Sequence, residues 1–229
     1  MVQVNPAKLI VRFKFKKMGS LQYISHLDLV RTMHKVIVRS KLPLYYTEGF
    51  NPKPKMVFAA PLSIGTESVC EFMDLRMSEY IDPAEAMKRI NANMTSEMQI
   101  TEAYYPETKF TDLKWMSYRM TISTVNLSDA LVDKCNALFA SDTIEVPKKN
   151  SDQTMNIKPL IHSACAEKSG EYMVINAVLS ADPSAFLNPE YLIKALRNSC
   201  GVLSSADITA EGYEIIRLNA FCQDMTEFK

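Results

Sequence analysis

What most constrains the fold of this chain is a hydrophobic period that switches between that of a strand and that of a helix, in an order that repeats. From Val11 to Lys16 apolar and basic residues alternate strictly: Val11, Phe13 and Phe15 face one way, and Arg12, Lys14 and Lys16 the other. That is the pattern of a half-buried strand. Ser25 and Asp28 then form a capping box, and Leu29, Val30, Met33, Val36 and Ile37 recur on one helical face, which predicts an amphipathic helix over 26–40. Strands are predicted over 42–48, 56–62 and 68–77, with a loop at 49–55 on its glycine and prolines. Asp82, Pro83 and Glu85 fill the N-cap, first and third positions of a second helix to about 94, and 99–105 reads as a last strand.

The order then recurs. A strand is predicted over 116–124, a helix after Asn126 or Ser128, strands over 143–146, 155–161 and 172–180, a helix from Asn188 to about 199, and a strand over 208–220. Residues 148–153 read as a polar hairpin loop. Helix starts lie 57 residues apart in the first half (25 to 82) and 62 in the second (126 to 188). The expectation is an α+β protein of two tandem ferredoxin-like (βαββαβ) halves with antiparallel sheets, 1–110 and 111–229, joined near 106–114.

Composition narrows the function classes. With 47% apolar and 23% charged residues the chain has the makings of a core and not of a disordered segment. No run approaches the roughly 18 apolar residues of a membrane span, and the first residues lack the apolar centre of a signal peptide; a cytoplasmic protein is expected. The five cysteines, Cys70, Cys135, Cys165, Cys200 and Cys222, lie at least 22 residues apart, which excludes a local CxxC site and argues against a disulfide framework. His26, His34 and His162 have no zinc-ligand spacing, so no metal and no cofactor is expected.

The 26 basic and 26 acidic residues cancel, which at first argues against a polyanionic partner. Resolved along the chain, residues 1–60 carry +9, 61–110 carry −5 and 111–229 carry −4. The basic front coincides with the first ferredoxin-like half. In that reading the turn at 16–26 and the loop at 49–55 emerge at one end, together with a helix N-terminus that favours anions. Arg12, Lys14, Lys16, Lys17, Ser25, His26, Lys53 and Lys55 are the candidate phosphate contacts, with Asn51 beside them. Tyr45, Tyr46 and Phe50 are the candidate platforms for unstacked bases, the two tyrosines pointing opposite ways on the expected strand. Basic groups interleaved with aromatics in a loop suit single-stranded or looped RNA. No catalytic constellation is visible. A nuclease using His26 and Lys55 would lack the paired carboxylates or metal cluster such chemistry calls on.

Five strings then point to a family: Val11–Gly19 (VRFKFKKMG), Tyr23–Leu29 (YISHLDL), Leu42–Tyr45 (LPLY), Glu48–Lys55 (EGFNPKPK) and Ala60–Gly65 (APLSIG), with Glu71 fitting as well. They closely resemble the radical SAM-linked family of uncharacterised bacterial proteins, in order and at the family's spacing. The likeness is strongest over 9–80. Lys53 stands where that family usually has histidine, Ser20 and Gln22 where basic residues are common, and Arg39 is left from a pair of arginines. Members are fused to, or encoded beside, a radical SAM protein with a cobalamin-binding-like region. The resemblance therefore implies an accessory module with a radical SAM protein as partner. The chain has no CxxxCxxC triad of its own, so radical chemistry would come from that partner. The leading expectation is a non-catalytic RNA-binding or substrate-presenting module for tRNA or rRNA modification. The alternative is a protein-interaction subunit that docks the radical SAM partner without RNA.

Overall fold

Val11, Phe13 and Phe15 are completely buried, in one core with Leu29, Met33, Val36 and Ile37 of the first helix and Ala86 and Ile90 of the second. Their strand, β1 (Ile10–Lys17), is followed by α1 (His26–Arg39), β2 (Met56–Phe58), β3 (Thr66–Arg76), α2 (Pro83–Asn91) and β4 (Met98–Tyr104). These are the elements of the first of two units in the computed structural model, which describes residues 9–148, 153–207 and 209–229. The first unit ends at Phe110 and includes Lys229; the second is Thr111–Phe228.

β1 pairs antiparallel with β3 on one side and β4 on the other, and β2 pairs antiparallel with β3. The strand order is therefore β4-β1-β3-β2. α1 starts where the capping box places it: the Ser25 hydroxyl accepts from the Asp28 backbone N–H at 3.1 Å. α2 starts at Asp82, with Pro83 in its first turn. The Asn91 side chain ties α2 to β4, donating to the Ile100 carbonyl at 2.9 Å and accepting from the Ile100 N–H at 2.8 Å.

The second unit comprises β5 (Trp115–Ser123), α3 (Asp129–Ala140), a two-stranded hairpin of β6 (Glu145–Pro147) and β7 (Thr154–Asn156), β8 (Ile161–Ser169), β9 (Tyr172–Ser180), α4 (Glu190–Cys200) and β10 (Gly212–Phe221). Its sheet runs β10-β5-β9-β8, with each pair antiparallel. Ser128 caps α3 by accepting from the Leu131 N–H at 3.2 Å. Gly201, at φ +82°, ends α4 in the left-handed region that glycine enters without a Cβ clash. Asn136 repeats the device of Asn91, bonding both backbone groups of Ala166 at 2.9 and 2.8 Å. The chain is thus a mixed α+β protein with mostly antiparallel sheet and few helices. Among the described residues no helix is long and apolar enough to cross a membrane.

Three expectations need correction. Residues 42–48 are no sheet strand; they make only the isolated bridges Leu44–Met77 and Tyr46–Pro54. Pro43 and Pro54 lack the N–H a ladder needs. β2 covers only Met56–Phe58 of the expected 56–62. In the second unit, the expected strands at 143–146 and 155–161 resolve into the β6–β7 hairpin and a 3-10 turn, Lys158–Leu160. The strand that joins the sheet there is β8, whose small and polar residues hide it. Only Ile161 and Ala166 are buried along it, so it carries almost no hydrophobic period. The Lys148 N–H donates to the Gln153 carbonyl at 2.8 Å across the expected polar loop, while residues 149–152 lie outside the described residues, as does Ile208.

Candidate nucleic-acid interface

The reassignment of 42–48 moves the 49–55 loop. That loop precedes the sheet strand β2 instead of following it, so it emerges at the end of the sheet where α1 finishes, not where α1 begins. Ile10 pairs with Arg76 at that end, and Lys17 with Ser68 at the other. Seven residues of strand separate the two rows, about 23 Å at ~3.3 Å per residue. The expected single basic end is therefore two ends.

At the α1 start, carboxylates already hold the groups that would meet an anion. The Gly19 N–H donates to Glu67 Oε1 at 2.7 Å. The Ser20 hydroxyl donates to Glu97 Oε2 at 2.8 Å, and the Ser20 N–H to Glu97 Oε1 at 3.2 Å. Ser25 is taken up in the helix cap, its hydroxyl also bonded to the Asp28 carboxylate at 2.6 Å. That bond, with Arg31 beside it, holds the Asp28 carboxyl below its ordinary value. The His26 ring packs edge-on against Phe58, centroids 5.7 Å apart. Lys16 is half-buried and Lys17 is buried.

Along β1 the other basic residues are engaged as well. Arg12 is 1% exposed. Its guanidinium forms a fork on Asp74, at 2.7 and 2.8 Å, donates to the Thr108 hydroxyl at 2.9 Å and carbonyl at 3.1 Å, and stacks 4.5 Å from the Phe110 ring centroid. Lys14 pairs with Glu102 at 2.8 Å. Arg12 and Lys17 thus lie inside the protein, and the outward face of β1 is not an open row of cations.

The other end differs. Residues 45–55 form a small hairpin whose stem is backbone-bonded: Thr47 N–H to the Lys53 carbonyl at 2.8 Å and Lys55 N–H to the Tyr45 carbonyl at 2.9 Å. The Lys53 N–H also donates to the Thr47 hydroxyl at 3.1 Å. The tip is Glu48–Pro52, and Gly49 turns it at φ +123°. Phe50 stands wholly in solvent at 112% relative exposure, and Tyr46, Asn51, Lys53 and Lys55 are exposed around it. Arg76 anchors the stem from β3. Its N–H donates to the Lys55 carbonyl, its carbonyl accepts from the Tyr45 N–H, both at 3.0 Å, and its guanidinium lies 4.5 Å from the Tyr45 ring centroid. Among the described residues the side chains of Lys53, Lys55 and Arg76 have no carboxylate partner. Three open cations and three aromatic rings, Tyr45, Tyr46 and Phe50, therefore share this end with the carboxylates of Glu48 at the tip and of Asp74 on β3, the latter held by Arg12.

Beside the stem, Ile10, Lys55, Val57, Asp74, Arg76 and Phe110 line a cleft of about 190 Å³. Arg76 is the residue that sequence reasoning missed. It lies at the close of an ordinary strand pattern, and only its register against Ile10 and its bonds to Tyr45 and Lys55 bring it to the loop. The second unit has a larger cleft, about 390 Å³, along α4 at Glu190, Lys194, Arg197 and Tyr213. There the Tyr213 hydroxyl donates to Glu190 at 2.8 Å, and burial, helped by that bond, pushes the phenol up to about 12.

The chain belongs to a bacterial family whose model matches residues 11–189 and whose description is "Uncharacterized protein conserved in bacteria (DUF2344)". No curated protein matches it. One chain of a solved Cbf5-Nop10-Gar1 complex is similar to it with a TM-score of 0.50 at 11% identity, over 94% of this chain and 50% of that one. The likeness is one of fold alone, and this chain spans half the length of its match. A chain of an unknown protein from Galdieria sulphuraria gives a TM-score of 0.26 at 8% identity, over 91% of this chain and 98% of that one, and carries no argument.

Proposed function

We propose that the first unit is a single-stranded RNA-binding module that grips its ligand at the 45–55 hairpin. The observation that carries this reading is the company of Lys53, Lys55 and Arg76, without carboxylate partners among the described residues, and the rings of Tyr45, Tyr46 and Phe50 at one end of the sheet. Cations that track phosphates beside rings that stack on bases are the two components of sequence-tolerant single-strand binding. An exposed phenylalanine at a hairpin tip has no role in the core and suits a base taken out of its stack. The strand orders β4-β1-β3-β2 and β10-β5-β9-β8, with two helices in each unit, support reading both units as ferredoxin-like halves. The motif resemblance supports the rest of the role: presenting tRNA or rRNA to a radical SAM partner that does the chemistry. That association rests on the resemblance alone.

The test is fluorescence anisotropy with a labelled single-stranded RNA, from about 50 mM salt upward. Binding is expected at low salt and weakens as salt rises. Lys53→Ala/Lys55→Ala should lower the slope of log affinity on log salt by about 1.4, the value for two lost phosphate contacts on a single strand. Absence of binding at low salt, or an unchanged slope in the double variant, refutes the reading. Recovery from cells of a protein partner that survives nuclease treatment, with no RNA affinity, would favour the docking subunit.

A further inference from the structure

The cleft beside the hairpin stem has a lining that a phosphate does not suit. Ile10, Val57 and Phe110 give apolar walls. The Phe110 ring is held in place by Arg12, stacked at 4.5 Å. Asp74 puts a carboxylate into the wall, which repels an anion. Its side chain is 18% exposed, and each oxygen accepts one bond from Arg12, at 2.7 and 2.8 Å. A carboxylate has about four acceptor sites, so lone pairs are left for a ligand. Arg76 and Lys55 add donors on the same cleft. A fitting ligand has a flat apolar body, N–H donors on one edge for Asp74 and acceptors on another for Arg76.

Asp74 and Arg76 are two residues apart on β3 and so point to the same side of the sheet, about 6.6 Å apart along the strand. That spacing lets them hold two edges of one ring system. Of the four RNA bases, guanine alone offers adjacent donors, its N1–H and its N2 amino group, together with the O6 and N7 acceptors to which arginine binds in a bidentate fork. Adenine and cytosine each bring a single amino donor, and uracil a single ring N–H.

We infer that this cleft reads a guanine base of the bound strand, Asp74 accepting from its N1 and N2 groups and Arg76 donating to O6 and N7, while Lys53 and the hairpin hold the neighbouring phosphates. This deepens the RNA reading above and rests on it.

The experiment is anisotropy at fixed salt with labelled octamers: all-uridine, and uridine octamers with one central guanosine, adenosine, cytidine or inosine. The guanosine octamer is expected to bind at least about tenfold tighter than the other standard three, the lower range for a good bidentate contact. Inosine lacks only the N2 amino group and should lose several-fold against guanosine. Arg76→Gln, and separately Val57→Trp, which fills the cleft from a half-exposed position, should each bring the guanosine octamer to within twofold of the all-uridine octamer measured on the same variant. Uridine binding with all bases within twofold, or a preference for another base, overturns the guanine site and leaves the hairpin reading standing. No binding of any octamer overturns the hairpin reading and this inference with it.

Discussion

Arg12→Ala tests whether a basic residue in a strongly basic segment serves the surface or the interior. Its guanidinium is 1% exposed and makes two charge-assisted bonds to Asp74 and two further bonds to Thr108, with Phe110 stacked on it. Truncation leaves the Asp74 carboxylate, itself only 18% exposed, without its partner. Breaking a buried pair from one side costs about 3–5 kcal/mol, chiefly because the remaining charge stays desolvated. At an m-value of about 2 kcal/mol/M, the urea midpoint should fall by roughly 1.5–2.5 M. Replacing both partners together, Arg12→Met with Asp74→Leu, should recover most of that loss, since a well-packed apolar pair is often as stable as the buried ion pair it replaces. The assay is urea unfolding followed by circular dichroism for the wild type, the single variant and the double variant. A single variant that unfolds at the wild-type midpoint and loses RNA binding would refute the reasoning and make Arg12 a phosphate contact.

Three further outcomes follow from local geometry. Gly19 sits at φ +58°, and a Cβ there would lie 2.3 Å from Glu97 Oε1, the oxygen that accepts from Ser20; Gly19→Ala should lower stability by about 1–2 kcal/mol in urea unfolding. Burial alone would raise the Glu211 carboxyl, but the Thr124 hydroxyl and the Ser205 and Val125 N–H groups hold it below its ordinary 4.5. Its contribution is therefore present above pH 4.5 and lost as pH falls through the lower folded value, and Glu211→Gln should flatten the stability-against-pH curve in that window. Cys165 is exposed, whereas Cys135 is buried and its thiol is pushed up to about 12 by that burial. A thiol reagent in mildly alkaline buffer should label Cys165 first, and Cys165→Ser should remove the fast phase; fast labelling of Cys135 in the folded protein would contradict the packing.

Helices and central strands were legible along the chain because their signals are local. The Ser25 and Asp82 caps and the Val11–Phe15 alternation each depend on residues within one or two turns of one another. The boundaries agree: α1 is His26–Arg39 where 26–40 was expected, and β3 is Thr66–Arg76 where 68–77 was expected. β8 escaped because its burial is sparse. The 42–48 segment reads as a strand from its apolar and aromatic residues, yet Pro43 within it and Pro54 opposite Tyr46 lack the N–H that would carry it into the ladder. That one misreading carried the site with it, since moving one strand reverses which end of the sheet a loop occupies.

The amino-acid sequence by itself determined that this chain folds as an α+β protein, that its positive charge gathers in the first sixty residues, and that the Glu48–Lys55 loop mixes cations with an aromatic. Only the tertiary structure decided which of those cations remain open. Arg12 and Lys14 look like Lys53 and Lys55 in a charge count, but strand pairing sets the first two opposite Asp74 and Glu102, while among the described residues the side chains of the other two pair with no carboxylate. Pairing across strands depends on residues 62 and 88 positions away, a distance that no local pattern spans. The same long-range register brings Arg76 to the hairpin, and with it the second wall of the cleft.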